Sequence, residues 1–258
     1  MDLGIAGKSA LLCASSKGLG YGCATALAEA GVHITLCSRN KSNIDKATQA
    51  LRKYDVKVNS VACDIATDEG RRRVLDLLPQ PDILVNNCGG PPPGAWADWQ
   101  KVDFLKAVEA NMLSPILLIQ QVLPWMIEKG WGRIVNITSG AVKAPIPALG
   151  LSNTARAGLT GFVAGVSRQV ASKGVCINNL LPGIHDTDRI KGFDEKMSLD
   201  QGISIAEVRD KKSSAIPVGR YGTADEFGKI CAFLCSQHAG FIVGQNIVID
   251  GGAINATI

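Results

Sequence analysis

The sequence predicts one doubly wound α/β domain, a parallel sheet of about seven strands with helices on both faces. Three observations carry this expectation. Short apolar, β-branched runs alternate with longer stretches of 3.6-residue periodicity along the 258 residues. The runs are continuously apolar, as in strands covered on both faces by crossover helices. A hydrophobic fraction of 46%, with 19% charged residues, suffices for one large core, and no composition shift marks a linker, so 1–258 is read as one domain.

The expected strands are SALLCA (9–14), VHITLCS (32–38), VKVNSVAC (56–63), DILVNN (82–87), GRIVNIT (132–138), GVCINNLL (174–181) and QNIVID (245–250). Helical periodicity covers 18–30, 41–53, 67–78, 99–129 and 150–172, the fourth stretch interrupted at Pro115 and Pro124. A last helix opens on a capping box, Thr223 with Glu226, and presents Phe227, Ile230, Cys231, Leu234 and Cys235 on one face. In such a sheet ligands bind beyond the carboxyl ends of the strands.

Composition excludes several classes. Net charge is +4, with acids and bases mixed along the chain, and the Arg71–Arg73 run after Asp68 and Glu69 reads as a solvated helix face. No nucleic-acid partner is expected. No run approaches a membrane span or a signal peptide, so the expectation is a soluble cytoplasmic protein. The eight cysteines read as structural thiols; Cys231 and Cys235 lack zinc-site spacing, and no metal is expected.

LLCASSKGLGYG joins the first strand to the first helix. Gly18 and Gly20 let the backbone approach a pyrophosphate at the helix amino terminus, although Ala14 stands where a first glycine is expected, and a tight turn without ligand is the alternative. After the second strand, where an acid would bind the ribose 2′-hydroxyl of NAD, the chain reads Ser38-Arg39. With Lys17 in the loop, a hydroxyl and two cations suit the 2′-phosphate of NADP, so NADP(H) is expected over NAD(H); a solvated Arg39 is the alternative.

Together these motifs resemble the short-chain dehydrogenase/reductase family over nearly the whole chain, in its 3-oxoacyl-carrier-protein-reductase-like branch. The family's T-G-x-x-x-G-x-G loop is matched by CASSKGLG (13–20), its N-N-A-G by Asn86-Asn87-Cys88-Gly89, and its C-D pair by Cys63-Asp64. The strand ending in serine is matched by GRIVNITS, and P-G-x-x-x-T by PGIHDT (182–187). The resemblance implies a Rossmann-type fold and cofactor contacts from Ala14, Ser16, Lys17, Gly18, Leu19, Gly20, Ser38, Arg39, Asp64, Ile65, Asn87, Cys88, Gly89, Arg156, Pro182, Gly183, His185 and Thr187. It also implies a homo-oligomer, tetramer or dimer, built through the carboxyl-terminal segment.

The catalytic quartet is where the chain departs from the pattern. Ser139 matches the family serine that binds the carbonyl oxygen, and Asn111 the asparagine that holds water. Where the family keeps tyrosine, thirteen residues beyond the serine, stands Ser152; where it keeps lysine, four further on, stands Arg156, and RAGLTGF keeps the register. Tyrosine titrates near pH 10, so a neighbouring cation can make it a working acid, whereas a serine hydroxyl needs a base. Arginine is no such base, but it can grip ribose hydroxyls or a carboxylate. An inert pair is the alternative. His185 is a candidate substitute acid because imidazole titrates near neutrality; Tyr21, Tyr54 and Tyr221 match no catalytic position.

Residues 188–212 balance six acids with six bases and have helical stretches; by resemblance, about 186–215 forms a mobile substrate lid. GGPPPGAW (89–96) stiffens the opposite rim, with Trp96 as an apolar wall. The reading is an NADP(H)-dependent oxidoreductase acting on a small carbonyl or alcohol with a non-standard proton donor. Two alternatives stay open: a catalytically silent NADP(H)-binding protein or sensor, and a lyase or isomerase that uses Ser152 and Arg156 to hold an anion.

Overall fold

Alternate residues of the first strand enter opposite layers, as the two-residue period of a strand requires. Ala10 and Leu12 join one buried cluster with Ile34, Leu36, Ile83 and Val85; Leu11 and Cys13 join the other with Leu84 and Ile134. A computed structural model describes residues 1–256; Thr257 and Ile258, the end of the expected 1–258 domain, lie outside the described residues. Its seven strands are β1 (Ser9–Leu12), β2 (His33–Ser38), β3 (Val58–Ala62), β4 (Ile83–Asn86), β5 (Gly132–Ile137), β6 (Val175–Pro182) and β7 (Asn246–Ile249). All pair in parallel, in the order β3-β2-β1-β4-β5-β6-β7. Strand order reverses between β1 and β4, which opens the crevice that doubly wound sheets use for ligands.

The helices are α1 (Gly18–Glu29), α2 (Lys41–Leu51), α3 (Asp68–Leu77), α4 (Lys101–Val108), α5 (Ser114–Lys129), α6 (Gly150–Val170), α7 (Asp188–Gln201), α8 (Ile205–Ser214) and α9 (Ala224–Leu234). One layer buries α1, α2 and α9, the other α3, α5 and α6. Helices α1 and α9 cross closely because two glycines meet there. A side chain on Gly22 would stand 2.1 Å from the Ala224 carbonyl oxygen, and one on Gly228 2.2 Å from that of Gly22. The capping box of α9 forms as expected, Thr223 Oγ1 accepting from Glu226 N–H and the Glu226 carboxylate from Thr223 N–H.

The expected interruption at Pro115 takes the form of a wider turn, and the one expected at Pro124 is corrected. Between α4 and α5 the helix widens into a π-helical turn, Glu109–Leu113. Pro115 has no N–H to offer the Asn111 carbonyl four residues earlier, so the α-helical pattern cannot continue there. Pro124, by contrast, lies inside α5 on its exposed face, where water can satisfy the freed carbonyl. The Arg71–Arg73 run is corrected. Arg71 is buried, donates to the carbonyls of Ile65 and Ala66, and pairs with Asp68 and Glu109, tying α3 to the π-turn. Arg72 and Arg73 alone are exposed.

Polar side chains also cross the sheet interior. Asn86 Nδ2 donates to Asn136 Oδ1 at 2.9 Å, Asn136 Nδ2 to Asn179 Oδ1 at 3.0 Å, and Asn179 Nδ2 to Asn246 Oδ1 at 2.8 Å. This amide ladder runs through β4, β5, β6 and β7, with its carbonyl end at Asn86, under the crevice. Replacing Asn136 with Ala leaves Asn179 Oδ1 without its donor and Asn86 Nδ2 without its nearest acceptor. The expected loss is about 2–4 kcal/mol of unfolding free energy in urea titration; a loss below ~0.5 kcal/mol would show that the ladder carries no stability.

Candidate functional site

The candidate segments converge on the carboxyl edge of the sheet. Helix α1 starts at Gly18 behind the extended Lys17, with no side-chain cap and no acid in its first turn, whereas Asn40, Thr67, Ser204 and Thr223 cap α2, α3, α8 and α9. Its open N–H groups and dipole favour an anion. Gly20 must be glycine: a side chain would lie 2.5 Å from the Ala14 oxygen and 2.8 Å from Asn87 Nδ2. Asn87 donates to that same Ala14 oxygen at 3.1 Å, tying the end of β4 to the loop. Ala14 itself sits at φ +44°, in the left-handed region that costs an L-residue about 1–2 kcal/mol. Ser16 and Leu19, both half-buried, complete the loop.

Ser38 and the exposed Arg39 end β2 beside it. Lys17 does not join them. Its Nζ pairs with Asp188 Oδ2 at 3.1 Å, at the start of α7, so the expected pair of cations reduces to Arg39. Past β3, Asp64 is exposed, its Oδ1 held by the Ala66 N–H, while Ile65 is buried. Past β4, Gly89 has open space where a side chain would stand. Burial pushes the Cys88 thiol up, against the pull of Arg156 and Arg39, so it stays protonated at neutral pH. Pro182 and Gly183 lead to Thr187, whose methyl group lies 3.4 Å from where a Gly18 Cβ would be.

His185 is a correction. Its ring is buried, edge-on to Phe227 with centroids 5.3 Å apart, and its Nδ1 faces the Gly183 carbonyl at 3.2 Å. It packs against Gly222 in the α9 layer, and burial lowers its pKa below 6.5, so the ring is a neutral core group rather than a proton donor. Two of the three tyrosines are also committed. Tyr54 donates to Glu29, and Tyr221, raised to about 12 by burial and Asp194, donates to that buried carboxylate.

Ser139, Asn111, Ser152 and Arg156 gather at the ends of β4 and β5. Ser139 Oγ accepts from Ala141 N–H at 3.1 Å, leaving its own hydrogen to donate. Ser152 and Arg156, one turn apart on α6, are both buried. Arg156 Nε donates to Ser152 Oγ at 3.1 Å, Nη1 to the Ile137 carbonyl at 2.9 Å and Nη2 to that of Cys88 at 3.5 Å. Burial pulls its pKa from 12.5 to about 10, which leaves it charged at neutral pH. Asn86, Asn111 and Arg156 line a cavity of about 10 Å³, the scale of one water. The side-chain oxygens of Asn86 and Asn111 have no partner there.

The chain matches the family model described as Enoyl-(Acyl carrier protein) reductase over residues 13–254. It is 30% identical over 254 residues to Dehydrogenase/reductase SDR family member 4 of Oryctolagus cuniculus, covering 96% of this chain and 94% of that one. It belongs to the short-chain dehydrogenase/reductase family. The oxidoreductases it resembles include 3-oxoacyl-(acyl-carrier-protein) reductase FabG of Aquifex aeolicus, 29% identical over 98% of this chain and 99% of the relative. Among solved structures, L-sorbose reductase from Gluconobacter frateurii, complexed with NADPH and L-sorbose, superposes with a TM-score of 0.95 at 27% identity, over 99% of this chain and all of that one. YwfH, an NADPH-dependent reductase involved in bacilysin biosynthesis, superposes at 0.90 with 26% identity, over 96% and 99%.

Relative to this short-chain dehydrogenase/reductase frame, sequence reasoning missed two features. The amide ladder was signalled by an asparagine inside each of four apolar strand runs. Arg189, on α7, reaches across the crevice to the carbonyls of Gly90 and Pro91 at 3.0 and 3.2 Å, and nothing in its polar surroundings in the sequence marks it.

Ala14→Gly should raise unfolding free energy by about 1 kcal/mol in denaturant titration, because glycine takes a positive φ freely. An unchanged or lower value would mean that the Ala14 backbone is unstrained. His185 contributes a pH dependence of known sign. With its folded pKa below the unfolded 6.5, the unfolded chain binds the proton more tightly. Stability from this group is therefore full above roughly pH 6.5 and falls as pH drops below it. His185→Gln should flatten that acid limb, and an unchanged slope would assign it to other groups.

Proposed function

We propose that the chain is an NADP(H)-dependent oxidoreductase acting on a small carbonyl or alcohol, with a proton path that does not use the family's tyrosine. The observation that supports it most is the buried Arg156–Ser152 pair, tied to the Ile137 carbonyl at the end of β5 two residues before Ser139, where the family keeps tyrosine and lysine. The residues fit the cofactor. The uncapped amino terminus of α1, the close approach at Gly20 and the open space at Gly89 suit a pyrophosphate and nicotinamide ribose, and Arg39 with Ser38 suits a 2′-phosphate. Bound there, NADP(H) supplies or accepts the hydride.

The chain's own groups then divide the remaining work. Ser139 uses its free hydrogen to hold the substrate oxygen. Arg156 keeps a fixed positive charge in a water-poor site, where it stabilises charge that develops on that oxygen. Because Nε donates to Ser152 Oγ, the serine hydrogen is turned outward and polarised. Ser152 is thus a relay, while the proton itself comes from water held between Asn111 Oδ1 and Arg156. Arg156 also reaches the ribose side through Nη2, keeping that half of the lysine's role.

The α7–α8 pair is the substrate lid, with Trp96 exposed on the opposite rim. Asp194, fully buried in α7, pairs with Lys212 at 2.6 Å and Arg209 at 3.6 Å, so the two helices move as one body. No described helix is long and apolar enough to cross a membrane. Exposed Leu105 on α4 and Phe241 before β7 support a homo-oligomer. The silent binding-protein reading draws support from the commitment of Tyr54, Tyr221 and His185 to packing and hydrogen bonds.

Fluorescence titration should show NADPH bound at least tenfold more tightly than NADH, with the preference lost in Arg39→Ala, and a carbonyl panel should consume NADPH. Preference for NADH, or a preference untouched by Arg39→Ala, would overturn the cofactor assignment. Tight NADPH binding with flat absorbance across the panel would move the assignment to the binding-protein reading.

A further inference from the structure

Two guanidinium groups, carried on different helices, donate to carbonyls of the segment Cys88–Pro91. Arg156 reaches the Cys88 carbonyl from α6, and Arg189 reaches the carbonyls of Gly90 and Pro91 from α7. They are near enough for Arg189 to disfavour the protonation of Arg156. Among the described residues neither has a carboxylate within 4.0 Å; Arg71, Arg209 and Arg220 each do, while Arg133, also buried, is held by three carbonyls alone. Asp188, next to Arg189, is held by Lys17. Cys88 between them stays a thiol and supplies no counter-charge.

An uncompensated buried cation is costly, and carbonyl dipoles answer only part of its charge. Arg156 carries five N–H hydrogens and directs three at protein acceptors, one of them at the long distance of 3.5 Å. One hydrogen on each terminal nitrogen is left over. A ribose hydroxyl can accept one, but it is neutral and leaves the buried charge of Arg156 unanswered, while Arg189 stands exposed at the rim. Gly89, in the middle of the segment, has open space where a side chain would stand, and Arg189 Nη2 lies 2.9 Å from where a Gly90 Cβ would be.

We propose, building on the oxidoreductase reading, that Arg156 and Arg189 form an oxyanion site over Gly89 for a substrate carboxylate adjacent to the reacting carbon, so that the substrate is a 2-oxo acid or its 2-hydroxy acid. In the reducing direction hydride from NADPH forms the new C–H bond at carbon 2. The carbonyl π pair moves to oxygen, which takes the Ser152 proton as Ser152 takes one from the water behind it, and the hydroxide so formed is reprotonated from solvent. The oxo acid leaves as hydroxy acid and NADPH as NADP⁺. The same oxyanion chemistry is offered by the cofactor's pyrophosphate, and the test separates the two.

The full-length protein with saturating NADPH is assayed on benzoylformate and 2-oxobutanoate against their methyl esters. The acids should have the higher kcat/KM. The acid-to-ester ratio should fall tenfold or more in Arg189→Gln and largely recover in Arg189→Lys, as for a charge-assisted contact. The Kd for NADPH, measured on the same variants, should move less than threefold. An unmoved ratio overturns the proposal, and an unmoved ratio with a tenfold weaker NADPH Kd assigns the arginines to the pyrophosphate. Calorimetry of benzoylformate and its methyl ester, with and without NADP⁺, reads the site independently of turnover, and equal affinities overturn it. Absence of NADPH binding overturns the oxidoreductase reading instead, and leaves the acid-versus-ester affinity of the free protein as the readout for the anion site.

Discussion

The guanidinium of Arg156, buried without a carboxylate at the carboxyl ends of β4 and β5, is the constraint around which the candidate site is arranged. Arg156 is too desolvated to be indifferent and too basic to shed its proton near neutrality, so its surroundings must supply negative potential from neutral groups. They do so with oxygens. The Ile137 and Cys88 carbonyls and Ser152 Oγ accept from it directly, and the free oxygens of Asn86 and Asn111 line the same small cavity. The π-turn in the helix before α5 puts Asn111 there, and Pro115 forces that turn.

The amide ladder belongs to the same electrostatic arrangement. Four asparagines donate in one direction across β4 to β7, so their dipoles add and the carbonyl end points toward the cavity beneath Arg156. Buried amides are costly when half-satisfied; here each internal one is paired, and the one unpaired oxygen belongs to Asn86, which lines the small cavity with Arg156. This links the deep sheet to the chemistry at its edge. Asp194 makes the complementary arrangement between α7 and α8, where a fully buried carboxylate has its cations supplied by α8 and a tyrosine hydroxyl from beyond it.

The glycine loop, the strand-end residues and the order of strands and helices were legible because each is a local pattern with a local cause. Strand hydrophobicity, the capping box and the close approach at Gly20 depend on a few neighbours in sequence. Roles that depend on a distant partner were not legible. Lys17 was read beside Arg39, but Asp188, far along the chain, takes it. Arg71 looked solvated within a charged run, yet the π-turn buries it. His185 looked reactive by position, and Phe227 and Gly222 make it a core residue.

By itself the sequence determined the doubly wound architecture, the cofactor crevice and the substitution of Ser152 and Arg156 at two critical positions. Hydrophobic period and residue chemistry are properties of the chain and need no partner to be read. The tertiary structure decided what that substitution means. Only folding sets Arg156 among carbonyls instead of acids, turns Ser152 Oγ toward its Nε, and brings Arg189 from α7 to the same loop. The reason is electrostatic: a charge acquires its function from the dielectric and the counter-charges around it, and those are assembled from segments that meet only in three dimensions.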